Sequence, residues 1–303
     1  VNKKRLLIMT INASMVKELR DRSGAGMMEC KRALVETDGN IEKAMDHLRK
    51  TGAAKAAKKA GRIAAEGKII VVSDKDLTVM AEVNSETDFV AKDSNFLKFC
   101  ELVAKTIMEQ APDSAESLQA CSCSDGKTIE DKRLELISVV GENIGVRRFV
   151  TEQTAGSVVL DSYLHGDRIG VLVTMEGGEA ELSRGIAMHI AASSPVCIDD
   201  DQIPAAVIES EMAIFQAQAE ESGKPQNIIE KMVEGRIRKY KAEITLMGQP
   251  YVRSPDQTVG ELLASKSARV RKFTRYELGE GIEKKEENFA EEVMAQAKAA
   301  GET

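Results

Sequence analysis

The side chains best suited to acid–base, nucleophilic or metal chemistry are few here: three histidines and five cysteines. His189 lies in Ile-Ala-Met-His-Ile-Ala-Ala-Ser, a mostly apolar helical stretch, and reads as a satisfied, partly buried residue. His165 sits in Tyr-Leu-His-Gly-Asp-Arg-Ile-Gly, a turn that suits a protein contact, and His47 lies on a helix. Cys121 and Cys123 form a Cys-x-Cys with no histidine at ligand spacing, so zinc is not expected. With Cys30, Cys100 and Cys197 the count is odd, and the cysteines read as reduced thiols of a cytoplasmic protein. No phosphate-loop, nucleophile-elbow or His-Glu-x-x-His pattern occurs. Ser23-Gly24-Ala25-Gly26 joins two helices and lacks the strand that a phosphate loop needs. The residues thus point to no bond chemistry, no metal site and no cofactor.

The segment that stands apart is Thr87-Asp88-Phe89-Val90, followed by Ala91-Lys92-Asp93. It falls where a strand hands over to a helix, a joint where folds place their contacts. Phenylalanine is scarce in this chain, and this one stands between an acid and a valine in a polar stretch. Local pattern favours a ring turned inward to cap the core. The alternative is a ring turned outward into a partner.

The elements that must position this segment can be read from periodicity. Residues 14–62 predict three short helices: one capped by Ser14, one over 27–36, and one capped by Asn40 with Ile41, Ala44, Met45 and Leu48 on one face. A helix-prone basic linker, Ala53–Arg62, follows. Strands over 68–72 and 77–83 form a hairpin, and Phe96, Phe99, Cys100, Val103 and Ile107 mark a helix. Residues 111–127 read as a loose loop before a helix over 129–140 and a strand over 143–150. The same order then recurs: strands over 158–163 and 169–175, a helix over 182–192, and a strand over 269–277. That recurrence predicts a duplicated strand–strand–helix–strand unit. Inserted in the second unit, 206–221 and 229–244 carry narrow apolar stripes on polar rods. One stripe is Ile208, Met212, Phe215 and Ala219; the other is Val233, Ile237, Tyr240 and Ile244. Broken by Gly223-Lys224-Pro225, they predict an antiparallel helical hairpin that serves as a contact arm or a dimer element.

Composition bounds the rest. At 303 residues the chain is expected to hold two or three modules. Aromatic content is 4% with no tryptophan, so cores should be built from Leu, Ile, Val, Met and Ala. No apolar run reaches the ~20 residues of a membrane span. Net charge is −7, which argues against bulk affinity for nucleic acid. The charge is uneven: residues 1–63 hold 15 Lys/Arg against 7 Asp/Glu, the remainder 27 against 42. A basic head on an acidic body suggests two surfaces with different partners. A rival use of the basic helix is binding to RNA or a ribosome, which would weaken steeply with salt. Val1–Met9 is expected to be an upstream extension ahead of a native start at Met9.

Nine ordered blocks resemble the bacterial elongation factor Ts family and span nearly the whole chain from Met9. They are residues 16–34, 52–67, 82–93 (Glu-Val-Asn-Ser-Glu-Thr-Asp-Phe-Val-Ala-Lys-Asp), 141–148, 165–173, 188–193, 231–237, 248–252 and 279–284. The resemblance implies an α+β fold. Its parts are an N-terminal ubiquitin-associated-like three-helix domain with the basic linker (9–62) and a two-part core (63–157, then 158–197 plus 247–281). A coiled-coil hairpin (198–246) and a C-terminal helix (282–303) complete it. The implied partner is elongation factor Tu, and the implied activity is exchange of its GDP for GTP. By resemblance, Thr87, Asp88, Phe89 and Val90 displace Mg²⁺ from that partner, the Asp88 and Phe89 side chains wedging between its helices. Lys31, Val140, Gly141 and His165 carry over as further contacts, with Val140 standing where Ile is common. A homodimer through the hairpin is the alternative to a partner contact there.

Overall fold

The computed structural model describes residues 11–283 apart from 155 and 157. The extension before Met9, and the helix expected over 282–303 from residue 284 on, lie outside the described residues.

Three helices open the chain: α1 (Ala13–Ser23), α2 (Met27–Glu36) and α3 (Ile41–Lys59). The cap of α1 is Asn12, not Ser14 as expected. Its extended backbone lets its carboxamide accept from the Met15 amide at 2.9 Å, while Ser14 donates to that same oxygen. Gly24, at φ 67°, ends α1 in the left-handed conformation that glycine adopts at least cost. Leu19, Cys30, Ala33, Leu34 and Ala44 form the buried centre, ringed by Met15, Val16, Ile41, Met45 and Leu48. The basic linker is not a separate element. Its alanines and lysines are strong helix formers, and α3 runs unbroken through them to Lys59.

The next unit is an antiparallel sheet of β1 (Glu66–Asp74), β2 (Leu77–Ser85) and β3 (Gly145–Gln153), in the order β1-β2-β3. Between β2 and β3 run α4 (Asp88–Ala91), α5 (Ser94–Gln110), α6 (Ala115–Gln119) and α7 (Ile129–Val140). The five apolar residues expected on one face of α5 are all buried against the sheet. The stretch 111–127 is more ordered than expected. A Ser114–Ser117 capping box starts α6, and Ser122 bridges Thr128.

A second antiparallel sheet repeats that order with β4 (Val158–His165), β5 (Ile169–Glu176) and β8 (Arg269–Glu277), under α8 (Ala180–Ser193). Between α8 and β8 the chain forms α9 (Ala205–Glu220) and α10 (Gln226–Ile244). The short strands β6 (Pro250–Tyr251) and β7 (Ser254–Thr258) and the helix α11 (Val259–Ser265) follow. Along the α9–α10 pair Ala219, Ile229 and Val233 are buried and Phe215 meets Tyr240 edge-on. Met212, expected in the stripe, is exposed, so the apolar contact is concentrated toward the turn. His189 is buried as expected. The Val252 amide donates to its Nδ1 at 3.1 Å, which leaves the ring proton on Nε2, 2.9 Å from Gln249 Oε1. Burial lowers its proton affinity, with the Gln249 bond opposing, and both contacts suit the neutral ring.

The two sheets meet face to face through Ile69, Met80, Leu172 and Leu278. Gly170 permits this approach: a Cβ there would lie 2.6 Å from Ile69 Cγ2 and 2.7 Å from Met80 Sδ. Beside this apolar layer sits a fully buried carboxylate, Glu82. It accepts from Arg148 Nε at 2.6 Å, Arg147 Nη1 at 3.1 Å, Asn84 Nδ2 at 3.1 Å and the Gly279 amide at 2.9 Å. The Arg148 guanidinium in turn stacks 4.2 Å from the Tyr276 ring and donates to the Glu277 carbonyl. Burial alone would raise the Glu82 pKa. The Gly279 amide, Asn84 and Arg148 outweigh it and hold the carboxyl below its ordinary 4.5.

Because the folded pKa is the lower one, the Glu82 contribution is complete above about pH 4.5 and is lost as pH falls through the folded value. Glu82→Gln is expected to cost about 2–4 kcal/mol in urea unfolding at pH 7. The gap to the parent chain should close in acid. Gly170→Ala should cost about 1–3 kcal/mol by overpacking the inter-sheet layer.

Candidate partner-binding surface

Strand β2 is buried along its length and ends at Ser85, and Thr87 begins the single turn of α4 as its cap. Thr87 Oγ1 accepts from the Val90 amide at 3.4 Å. Asp88 pairs with Lys92, one turn on, at 2.8 Å. Val90 turns inward and packs against the first core. Phe89 does the opposite. Its relative exposure is 82%, the highest among the exposed large apolar residues described. The inward ring favoured by local pattern is therefore corrected. A one-turn helix cannot point residues 89 and 90 the same way, and Val90 takes the core side.

The segment is tied to the loop after α7. The Thr87 amide and hydroxyl both donate to Glu142, at 2.9 and 2.7 Å, and the Asn143 amide donates to Glu86 at 2.6 Å. Val140, half-buried, and Gly141, the left-handed cap of α7, precede that loop, so the structure brings them to Thr87–Val90. The α1–α2 turn lies close by: a Cβ on Gly24 would sit 3.5 Å from Val139 Cγ2. On α2, Lys31 is exposed one turn after Met27, and Met27 and Met28 are 59% and 65% exposed. The two methionines carried no signal in the sequence, since a helix-opening methionine reads alike whether it faces in or out. Glu86 and Glu142 were equally silent, because their partners are distant in the chain.

His165 is exposed at the end of β4, its Nδ1 3.2 Å from the Tyr163 hydroxyl. No hydrogen bond among the described residues joins it to Thr87–Val90. An indirect path exists: Arg168, in the same turn, pairs with Glu66 at 2.7 Å, and Glu66 lies opposite Ser85.

The charge asymmetry is partly internal. On and after α3, Arg49 pairs with Asp131, Lys59 donates to the Gly141 carbonyl and Arg62 faces Glu86. Much of the basic helix is thus spent on seating the first module against the acidic core. Among the described residues no group of three or more His, Cys, Asp or Glu could hold a metal, and no helix is long and apolar enough to cross a membrane.

Comparison with known proteins assigns the chain to a family. The model of the Elongation factor TS family matches residues 86–280. Elongation factor Ts of Thioalkalivibrio sulfidiphilus is 60% identical over 294 residues, covering 96% of this chain and all of the relative. The protein of that name from Alkalilimnicola ehrlichii is 56% identical over the same length and coverage. That from Legionella pneumophila strain Paris is 53% identical over 291 residues, covering 95% of this chain and 99% of the relative. Matched by the family model over residues 86–280 and 53–60% identical to these relatives over nearly its full length, the chain belongs to the elongation factor Ts family.

Proposed function

We propose that this chain is a non-catalytic guanine-nucleotide exchange factor for elongation factor Tu, acting in the cytoplasm. It binds the GDP-bound partner, dislodges Mg²⁺ and releases GDP so that GTP can enter. The observation that carries the reading is Phe89: a large apolar ring held out in water on a segment bonded down on both sides. A folded chain gains nothing for itself from such a ring. A partner crevice that accepts it supplies about 1.5–3 kcal/mol of apolar transfer. Mg²⁺ demands near-ideal octahedral geometry, so a small displacement of its ligands by the wedge loosens the nucleotide strongly. Exchange requires only that the factor favour the empty partner, and linkage makes that preference reciprocal.

In this reading Thr87, Asp88, Phe89 and Val90 form the wedge, with Thr87 capping it and Val90 anchoring it. Lys31, Val140, Gly141 and His165 are further partner contacts, and exposed Met27 and Met28 extend the surface around Lys31. The division into a ubiquitin-associated-like domain and linker (9–62), two core halves (63–157; 158–197 plus 247–281) and a coiled-coil hairpin (198–246) belongs to the same proposal. It is supported by a distinct apolar cluster in each part, with Ala56 joining the first core and Ile198 and Leu246 the second. The hairpin serves as a dimer element or a second partner contact. Direct nucleic-acid binding is disfavoured by the net charge and by the pairing of Arg49, Lys59 and Arg62 within the chain.

The test is release of labelled GDP from the partner. Phe89→Ala should slow stimulated release about tenfold or more while leaving the thermal midpoint unchanged. Parallel loss of both would show that the ring serves the fold instead.

A further inference from the structure

The wedge is held from outside itself. Glu142 accepts from both the amide and the hydroxyl of Thr87, and Glu86 accepts from the Asn143 amide. Each loop therefore lends a carboxylate to the backbone of the other. Two bonds from one residue to one ionised carboxylate fix rotation as well as position, and such charge-assisted bonds are the stronger kind. Because α4 is a single turn, the direction of Phe89, two residues on, follows from how its cap is held.

Helix α3 and the residues just after it touch both sides of this clasp. Lys59 donates to the Gly141 carbonyl, Arg62 faces Glu86 at 3.4 Å, and the Asn143 side chain donates to the Arg62 carbonyl at 2.9 Å. The helix itself rests on α7 through Arg49–Asp131 and through Gly52, where a Cβ would lie 2.6 Å from Ser138 Oγ. A cleft of about 540 Å³ runs along that seat, lined by Glu29, Lys55 and Leu134 among others. Ala56 is the one residue of α3 buried in the core beneath; the rest of the seat is charge and fit, and such a contact between modules adjusts more readily than a core does.

We propose that Glu142 and Glu86 are positioning residues for the wedge, and that their clasp passes the seating of α3 on to the pose of Phe89. The functional consequence rests on the exchange reading above. A partner that grips the first module then bears on the same two loops that aim the ring.

Two readouts test this. The chain has no tryptophan, so Phe89→Trp places a sole indole at the wedge. Adding Glu142→Gln, which leaves one acceptor where two are used, should lower the indole's fluorescence anisotropy in the free chain while the thermal midpoint holds. Adding Thr87→Val instead should do the same. In GDP release by the chain that keeps Phe89, Glu142→Gln should lower the maximal rate about tenfold and move the half-saturating concentration by less than about threefold. Unchanged anisotropy in both variants overturns the positioning role whatever the release data show. A shift confined to the half-saturating concentration also overturns it, since Glu142 would then be a contact. If the unmodified chain fails to accelerate release, the exchange reading falls, and the anisotropy still decides the clasp.

Discussion

A carboxylate buried between two sheets is the constraint on which this structure depends. Glu82 has left water entirely, which is tolerable only because four donors converge on it. Those donors come from β2, from β3 and from the chain just after β8, so the two halves of the core are fixed to one another at that point. The apolar layer of Ile69, Met80, Leu172 and Leu278 supplies non-directional attraction, whereas the Glu82 cluster supplies register. Glu82 also lies on the strand that delivers Thr87, five residues on. The exposed segment is therefore launched from a strand that is buried along nearly its whole length.

That arrangement answers a physical problem. An exposed apolar ring on a loose loop would collapse onto its own surface or lose binding energy to ordering. Holding the segment beforehand removes that entropic cost from the binding step. Val90 packed against the core, the Thr87 cap and the crossed carboxylates of Glu86 and Glu142 together leave Phe89 outward-facing. Val140 and Gly141 lie beside the bonded loop, and the α1–α2 turn meets α7 at Val139. His165 stands apart on the second sheet, whose turn is tied to the first by the Arg168–Glu66 pair.

The legible part of the fold was the part governed by local periodicity. Phe96, Phe99, Cys100, Val103 and Ile107 announce α5, and the recurring strand–strand–helix–strand order announces the second sheet's last strand. Both units run strand, strand, helix and strand along the chain as expected. Where two local signals compete, the chain's wider context decides between them. Asn12 outranked Ser14 as a cap, and the alanine-rich linker joined α3 rather than standing apart. The direction of Phe89 could not be decided from its neighbours, because it turns on which of residues 89 and 90 the core claims. Glu82, Glu86 and Glu142 were illegible for a different reason. Thr87, Asn143 and Gly279, which fix them, lie 55 to 197 residues away, and an isolated acid in a strand or loop carries no mark of such partners.

The most direct measurement of the central claim is photo-crosslinking from position 89, with a benzophenone amino acid replacing Phe89 in the full chain and purified elongation factor Tu added. The account expects an adduct beside the partner's nucleotide site, and expects excess GDP with Mg²⁺ to suppress it, since nucleotide and factor must oppose each other reciprocally. An adduct to the chain's own core, or one to the partner that GDP and Mg²⁺ leave unchanged, would contradict it.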